Sequence, residues 1–242
     1  MNFIEYTITS DMLCMGERIK KGQFRPTVTT IPYSQITGAL KAVFGNKDIH
    51  AVGYFPFDNE QEFIRKHTQI LTYSPRDRAI NTSIIPLYIE YLADVEGKVF
   101  IAEIEDIKDE LESSDSILIY MGAFKSKGFG RCTLKDRKKI SEEDLDIHEG
   151  TLNTRIPIAK AEDMKETDGN SQKRLIDEGK TTKFLMDTFY IEKVMKARYG
   201  YLFEPTNKTS GCYILSLFEG SMIKGPGFLL RVDNGGDRND TQ

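Results

Sequence analysis

The sequence predicts an α+β fold: an antiparallel sheet with helices on one face, followed by a smaller, less regular C-terminal region. Three observations predict it. Residues 2–10 alternate, with Phe3, Glu5, Thr7 and Thr9 on one face and Asn2, Ile4, Tyr6 and Ile8 on the other, which is the period of a strand. Residues 34–44 place Ile36, Ala39, Leu40, Val43 and Phe44 on one helical stripe. Later segments rich in Ile, Val, Tyr and Phe are short and bounded by turn residues.

The elements follow in order. Residues 11–32 lack periodicity and contain Gly16, Gly22, Pro26 and Pro32, so they read as a long loop of the kind that carries function. Ser34 is placed to cap the helix over 34–44, and Gly45 stands where a C′ glycine belongs. Gly38 inside that helix costs roughly 1 kcal/mol relative to Ala, which suggests a close approach by a strand or a ligand backbone. Residues 46–82 are ambiguous, with a short helix at Glu60 to His67 and a short strand at Gln69 to Tyr73. Ile84 to Ala93 and Lys98 to Ile104 read as strands joined by a hairpin turn at Asp94 to Gly97. Glu105 to Glu112 reads as a short helix, Ile117 to Met121 as a buried strand and Phe129 to Leu134 as the strand after a glycine-rich turn. Residues 137–180 are polar, with a linker at Ala161 to Gly179. A helix is expected over 183–199, a strand at Tyr213 to Phe218 and a disordered tail at 233–242.

The order over 1–136 approximates a β-α-β-β-α-β ferredoxin-like (RRM-like) unit, a plan whose open sheet many RNA-binding domains use. The expected organisation is a ferredoxin-like RNA-binding domain at 1–136, a second α+β region at 137–232, for which a degenerate ferredoxin-like unit is one form, and the tail.

Composition narrows the function classes. The chain has 242 residues, 39% hydrophobic and 29% charged, which is globular and not disordered. Its longest apolar runs are too short to cross a bilayer, and no signal peptide is visible at Met1 to Tyr6. Cys14, Cys132 and Cys212 form no CxxC pair, so a disulfide framework and a zinc site are both unsupported and a reducing cytoplasm is expected. The net charge of −4 excludes a globally basic nucleic-acid binder but leaves room for a local stripe. Residues 125–139 hold seven basic side chains (Lys125, Lys127, Arg131, Lys135, Arg137, Lys138, Lys139) against Asp136 alone, and the next ten residues hold five acids. Two solvated faces that partly neutralise each other would also produce this pattern. Acidic groups such as Asp94 with Glu96 lack His or Cys at ligand spacing, so no metal and no cofactor is expected.

Two segments carry chemistry. The first is Met121-Gly-Ala-Phe-Lys-Ser-Lys-Gly-Phe-Gly-Arg131, with Gly122, Gly128 and Gly130 beside Lys125, Ser126, Lys127 and Arg131. Glycine allows positive φ and close backbone approach, and clustered N–H groups with Lys and Arg form an anion cradle suited to phosphate. Phe124 and Phe129 are placed to stack on a base or to enter the core. The segment is neither a Walker loop nor a Rossmann fingerprint, because Gly128 precedes Phe129 and no helix opens after it. The second is Thr30 to Lys41, where Pro32 leads into a helix whose N-terminus, at Ser34 and Gln35, is a positive dipole end.

Together, Ile31-Pro-Tyr-Ser34-Gln-Ile-Thr-Gly38-Ala-Leu and the late glycine-rich loop at 120–131 resemble the RAMP superfamily of CRISPR-associated proteins. The later Glu219 to Phe228 segment is similar to a closing glycine-rich stretch in some members. The resemblance implies an RNA-binding protein of antiviral defence, and within the superfamily three roles compete. One is the type III effector subunit that caps the 5′ repeat-derived tag of the guide RNA (crRNA) and contacts the large polymerase-like subunit. Another is the backbone subunit, which cleaves target RNA with an aspartate after the first strand. The third is a metal-independent endoribonuclease that processes precursor crRNA, typically with a histidine. No Asp occurs between Met12 and Pro32, and His50, His67 and His148 show no Lys/Tyr constellation and read as surface residues. The expectation is therefore a non-catalytic capping subunit of a ribonucleoprotein. Its RNA would meet Gly122, Lys125, Ser126, Lys127, Gly128, Phe129, Gly130 and Arg131, with Arg18, Lys20, Lys21 and Arg25 of the long loop and Ser34 and Gln35 of the helix. Other Cas subunits are the expected partners, including the backbone subunit, with target RNA met indirectly and no membrane.

Overall fold

A computed structural model describes residues 2–16, 22–45, 47–75, 79, 82, 85–103, 111, 116–158, 183–205 and 211–231. The chain is α+β and mostly antiparallel. The first part holds β1 (Phe3–Leu13), β2 (Phe24–Arg25), β3 (Thr30–Ile31), α1 (Tyr33–Phe44), β4 (Ala51–Tyr54), α2 (Glu60–His67), β5 (Thr68–Tyr73), β6 (Leu87–Ala102), β7 (Ile117–Tyr120) and β8 (Arg131–Ile140). The second part holds β9 (Ile147–Thr151), β10 (Ile156–Pro157), α3 (Lys183–Thr188), β11 (Lys193–Lys196), β12 (Tyr199–Pro205), β13 (Gly211–Leu217) and β14 (Met222–Pro226).

The large sheet runs β3-β4-β6-β1-β8-β7, with β2 and β5 also on β6. Its centre is β1, whose alternation buries Ile4, Tyr6 and Ile8. They meet Ile36 and Leu40 of α1 and Phe63 of α2 in one core cluster. Burying each such side chain is worth roughly 1.5–3 kcal/mol, so this layer fixes the sheet. In α2 the Asn59 Oδ1 accepts the N–H groups of Gln61 and Glu62 at 2.9 and 3.2 Å, which satisfies two otherwise orphaned donors.

The opposite face of the sheet is covered at one end. Phe3 and Phe100 project there and pack on Phe228, with ring centroids 5.0 and 4.5 Å apart. Val52, Phe189 and Ile223 join the same cluster. Over this half the expected open face is closed by the second part of the chain. The half formed by β7, β8 and the C-terminal end of β1 keeps Leu118 and Tyr120 exposed.

Several expected elements take another form. No hairpin interrupts the described residues 85–103. Strand β6 runs through Asp94 to Gly97 and pairs with β1 from Phe3↔Ala102 to Leu13↔Leu92 without a slip. Asp94 absorbs the bend at φ 50°, and the partner strand is long enough to hold the segment extended. The Ile117 strand is half-buried, because as the sheet edge it exposes alternate residues. The helix expected over 183–199 stops at Thr188. Tyr190 takes φ 53°, its N–H reaches the Asp187 carbonyl and the Ile191 N–H reaches the Met186 carbonyl, which closes the helix C-terminus. Val194 and its neighbours then form β11 against β14. Helix α2 and strands β5 and β13 occur where the pattern placed them. The expected helix at Glu105 to Glu112 (Leu111 excepted), the linker at Ala161 to Gly179 and the tail lie outside the described residues.

Candidate nucleic-acid interface

The glycine-rich turn joins β7 to β8 and is pinned to the end of β1. The Ala123 N–H donates to the Cys14 carbonyl at 2.8 Å, the Gly130 N–H to the Met12 carbonyl at 2.7 Å and the Met121 N–H to the Gly130 carbonyl at 2.9 Å. Gly122 and Gly130 have φ of 84° and 80°. A Cβ at Gly122 would collide with the Cys14 carbonyl oxygen, and one at Gly130 with that of Met121. These glycines therefore serve close approach of the protein's own backbone. Gly128, at φ 91°, has nothing within 4 Å of a Cβ, and its N–H bonds the Lys125 carbonyl at 3.2 Å. The expected phosphate cradle of glycine N–H groups is corrected in this respect: the donors of Gly128 and Gly130 are already occupied.

The aromatic residues divide between two environments. Phe129 is 1% exposed and packs with Cys14 and Ile89, its ring edge-on to Tyr91 at 5.1 Å. It is a core residue, so its ring is not available to stack on a base. Phe124, at φ 56°, packs partly buried on Phe129. Between these anchors the short 3₁₀ turn Lys125–Lys127 leaves Lys125, Ser126, Lys127 and Gly128 exposed, and Arg131 is exposed at the start of β8. The Lys127 Nζ lies 4.7 Å above the Tyr73 ring, which holds that cation at the surface. The arrangement is a pinned root carrying exposed cationic tips, and it supplies charge through side chains.

Helix α1 begins at Tyr33, two residues before a Ser34 cap would start it. Pro32 is the N-cap, at φ −65° and ψ 145°, and no side chain caps the helix. Its carbonyl takes the N–H groups of Gln35 and Ile36, and the Tyr33 N–H goes to the Arg155 carbonyl at 3.0 Å. The buried Tyr33 explains the shift: its hydroxyl meets His50 Nδ1 at 2.6 Å. Among the described residues nothing lies within 4 Å of a Cβ on Gly38, so no described strand approaches it.

Ser34 and Gln35 line a groove of about 250 Å³ together with Gly16, Arg155, Tyr201 and Tyr213. Gly16 also lies 3.8 Å from the Ala123 Cβ, measured from a Cβ built on it. The segment after β1 thus stands between the turn and the helix start, and the two predicted segments flank it. Tyr201 and Tyr213 belong to the β12–β13 hairpin and are 56% and 40% exposed. The sequence reading did not include them, although the alternation Tyr199, Tyr201, Phe203 carries the signal. Arg155 is committed elsewhere. Its Nε and Nη2 each lie 2.7 Å from a Glu219 carboxylate oxygen, and its guanidinium stacks 4.1 Å from the Phe218 ring. Burial pushes the Glu219 carboxyl up, but the Arg155 hydrogen bonds and charge outweigh it and hold the group below the ordinary glutamate range.

Of the long-loop cations, Arg25 is half-buried and its Nη1 turns back to the Gly22 carbonyl at 2.8 Å. Arg18, Lys20 and Lys21 lie outside the described residues. The histidines occupy separate elements. His50 is buried, contrary to the surface position expected of it, with Nε2 3.2 Å from Asp48. His67 Nδ1 meets the Ala93 carbonyl at 3.0 Å, and His148 pairs with Asp146 at 3.3 Å. Among the described residues no group of three His, Cys, Asp or Glu side chains is placed to hold a metal ion, and no helix is long and apolar enough to cross a membrane.

No protein-family model matches the chain. No curated protein matches it in sequence. Among solved structures it is similar to a chain from a cryo-EM structure of the Type III-B Cmr-beta bound to cognate target RNA and AMPPnP. The TM-score is 0.51 at 12% identity, over 91% of this chain and 86% of that one, so the likeness is one of fold.

Proposed function

We propose that the chain is a non-catalytic RNA-binding subunit of a CRISPR type III effector ribonucleoprotein and that it holds the 5′ repeat-derived tag of the crRNA. The observation that carries this reading is the fold shared with a chain of a Type III-B Cmr-beta complex over nearly the whole length of both. The turn 121–131 is the proposed RNA contact, with Lys125, Ser126, Lys127 and Arg131 meeting phosphates. Ser34 and Gln35 across the Gly16 segment are the second contact. Arg18, Lys20, Lys21 and Arg25 would extend the site through the loop after β1.

We read residues 1–136 as a RAMP-type ferredoxin-like unit. The order β4-β6-β1-β8, antiparallel at each step, with α1 between β1 and β4, supports this. Residues 137–232 would be the second unit, facing neighbouring Cas subunits, the large polymerase-like and backbone subunits among them. The cytoplasm is the proposed location.

The test is binding of a labelled single-stranded RNA carrying a repeat-derived 5′ tag, followed across salt concentrations. Phosphate contacts to single strands contribute a slope of about 0.7 each in log K against log salt, so Lys125→Ala, Lys127→Ala and Arg131→Ala together should lower the slope by about 2. Binding and slope equal to wild type would refute the turn as the contact. Specific cleavage of repeat RNA in EDTA, lost on His50→Ala, His67→Ala or His148→Ala, would favour an endoribonuclease instead.

A further inference from the structure

We infer that the outer face of β8, with Tyr120 of β7 beside it, is a track for single-stranded RNA that continues from the glycine-rich turn and runs along the strand, not across the sheet; this rests on the RNA-binding reading above.

The track is built by a bulge. Thr7 pairs with Lys135 and Glu5 with Lys138, so two steps on β1 face three on β8. Asp136, at φ 56°, takes up the extra residue. Simple alternation would send Arg131, Lys135 and Arg137 to the face of Thr7 and Thr9. The bulge puts Lys138 on that face in place of Arg137, and Lys139 opposite Ile4. Arg131, Lys135 and Lys138 are all exposed. Over about 23 Å of strand they form one cationic row that starts at the turn. Lys139 is paired with Glu103 at 2.9 Å, and Glu5 is occupied by Lys98 at 2.6 Å. Among the described residues Arg131, Lys135 and Lys138 form no ion pair.

Charge sets the direction of the track. Across β1 the exposed carboxylates of Asp94 and Glu96 lie on β6, with Glu96 opposite Thr9. A polyanion crossing the sheet would meet both, whereas one following β8 would meet three cations against the single carboxylate of Asp136 at the bulge. Tyr120 supplies the base platform. It is 50% exposed and pairs directly with Arg131 across β7 and β8, so a base can lie on the ring while its phosphate meets the guanidinium.

The experiment is fluorescence anisotropy with a labelled 12-nucleotide oligouridine at a series of KCl concentrations. It compares wild type, Lys125→Ala/Lys127→Ala, Lys135→Ala/Lys138→Ala, Tyr120→Ala and Tyr120→Phe, with thermal melts to show that each is folded. The Lys135/Lys138 variant should bind about tenfold more weakly and lose about 1.4 from the salt slope. Tyr120→Ala should weaken binding at least about fivefold with the slope unchanged, and Tyr120→Phe should restore it. Wild-type binding by the Lys135/Lys138 variant while the Lys125/Lys127 variant is impaired overturns the track and leaves the functional reading standing. No RNA binding by wild type overturns both. Equal binding of poly-glutamate, lost in the Lys135/Lys138 variant, makes the face a dock for an acidic protein and overturns the track.

Discussion

Gly130 and Gly128 share a backbone sign and differ in surroundings, which makes them a matched pair for testing how the turn is held. Both have positive φ, 80° and 91°. Replacing either by Ala costs roughly 1–2 kcal/mol for the left-handed backbone. At Gly128 nothing lies within 4 Å of the new methyl, so that is the whole cost. At Gly130 the methyl would strike the Met121 carbonyl, whose residue is itself bonded to Gly130, and relief would break the buried Gly130 bond to Met12. Leaving that pair unmade adds about 1–3 kcal/mol. Gly130→Ala should therefore cost about 2–5 kcal/mol. For a chain of this size each kcal/mol moves Tm by roughly 2–4 °C, which gives a drop of about 4–20 °C against about 2–8 °C for Gly128→Ala, with the Gly130 variant the lower of the two. Thermal unfolding followed by circular dichroism decides it. Equal Tm values for the two variants would mean that the root of the turn is not pinned to β1, and the rigid platform for Lys125 and Lys127 would go with it.

Phe129→Ala should destabilise by about 3–5 kcal/mol in urea unfolding, since the ring is fully buried against Cys14 and Ile89, and an effect under about 1 kcal/mol would return Phe129 to the surface. Glu219→Gln should cost about 3 kcal/mol at pH 7 by leaving the Arg155 guanidinium without its carboxylate. The folded carboxyl titrates below the unfolded one, so its contribution is complete above the ordinary glutamate value of about 4.3 and disappears as pH falls through the lower folded value. Urea melts of both proteins should therefore differ in full at pH 7, and the difference should narrow as pH falls below the ordinary glutamate value.

What was legible in the sequence is what local pattern decides. Ile4, Tyr6 and Ile8 alternate because one face of β1 is buried along its length, and Ile36, Ala39 and Leu40 repeat because α1 lies on that face. What was not legible depends on partners far away in the chain. Asp94-Val-Glu-Gly97 has turn chemistry, yet β1 holds it extended. Phe184 to Met195 carries a stripe compatible with helix, and only β14 tells Val194 to be a strand. The candidate site shows the same division. The glycines at 122 and 130 announced a close approach, but not that the approaching backbone was the protein's own, Cys14 just after β1 for the one and Met121 of the same turn for the other. Ser34 has the chemistry of a cap, and the pairing of Tyr33 with His50 sets the helix start before it, which leaves Ser34 inside the first turn.

The net charge of −4 and the proposed binding of a polyanion are reconciled by distance. Exposed charges act over about 8 Å at physiological ionic strength. The exposed acids at Glu142 to Asp144 follow the far end of β8, and an extended strand of that length puts them roughly 30 Å from Arg131. They are too distant to cancel the turn, whereas the exposed Asp136, two residues before Lys138 on β8, weakens the field there. Other carboxylates are consumed locally, Glu103 by Lys139, Glu219 by Arg155 and Glu192 by Lys224. A phosphate therefore meets a potential that is most positive at Lys125, Lys127 and Arg131 and declines along β8. A strand seized at the turn would lie down towards Lys138 with its grip loosening as it goes, and that gradient, absent from any sum over the composition, gives the interface its polarity.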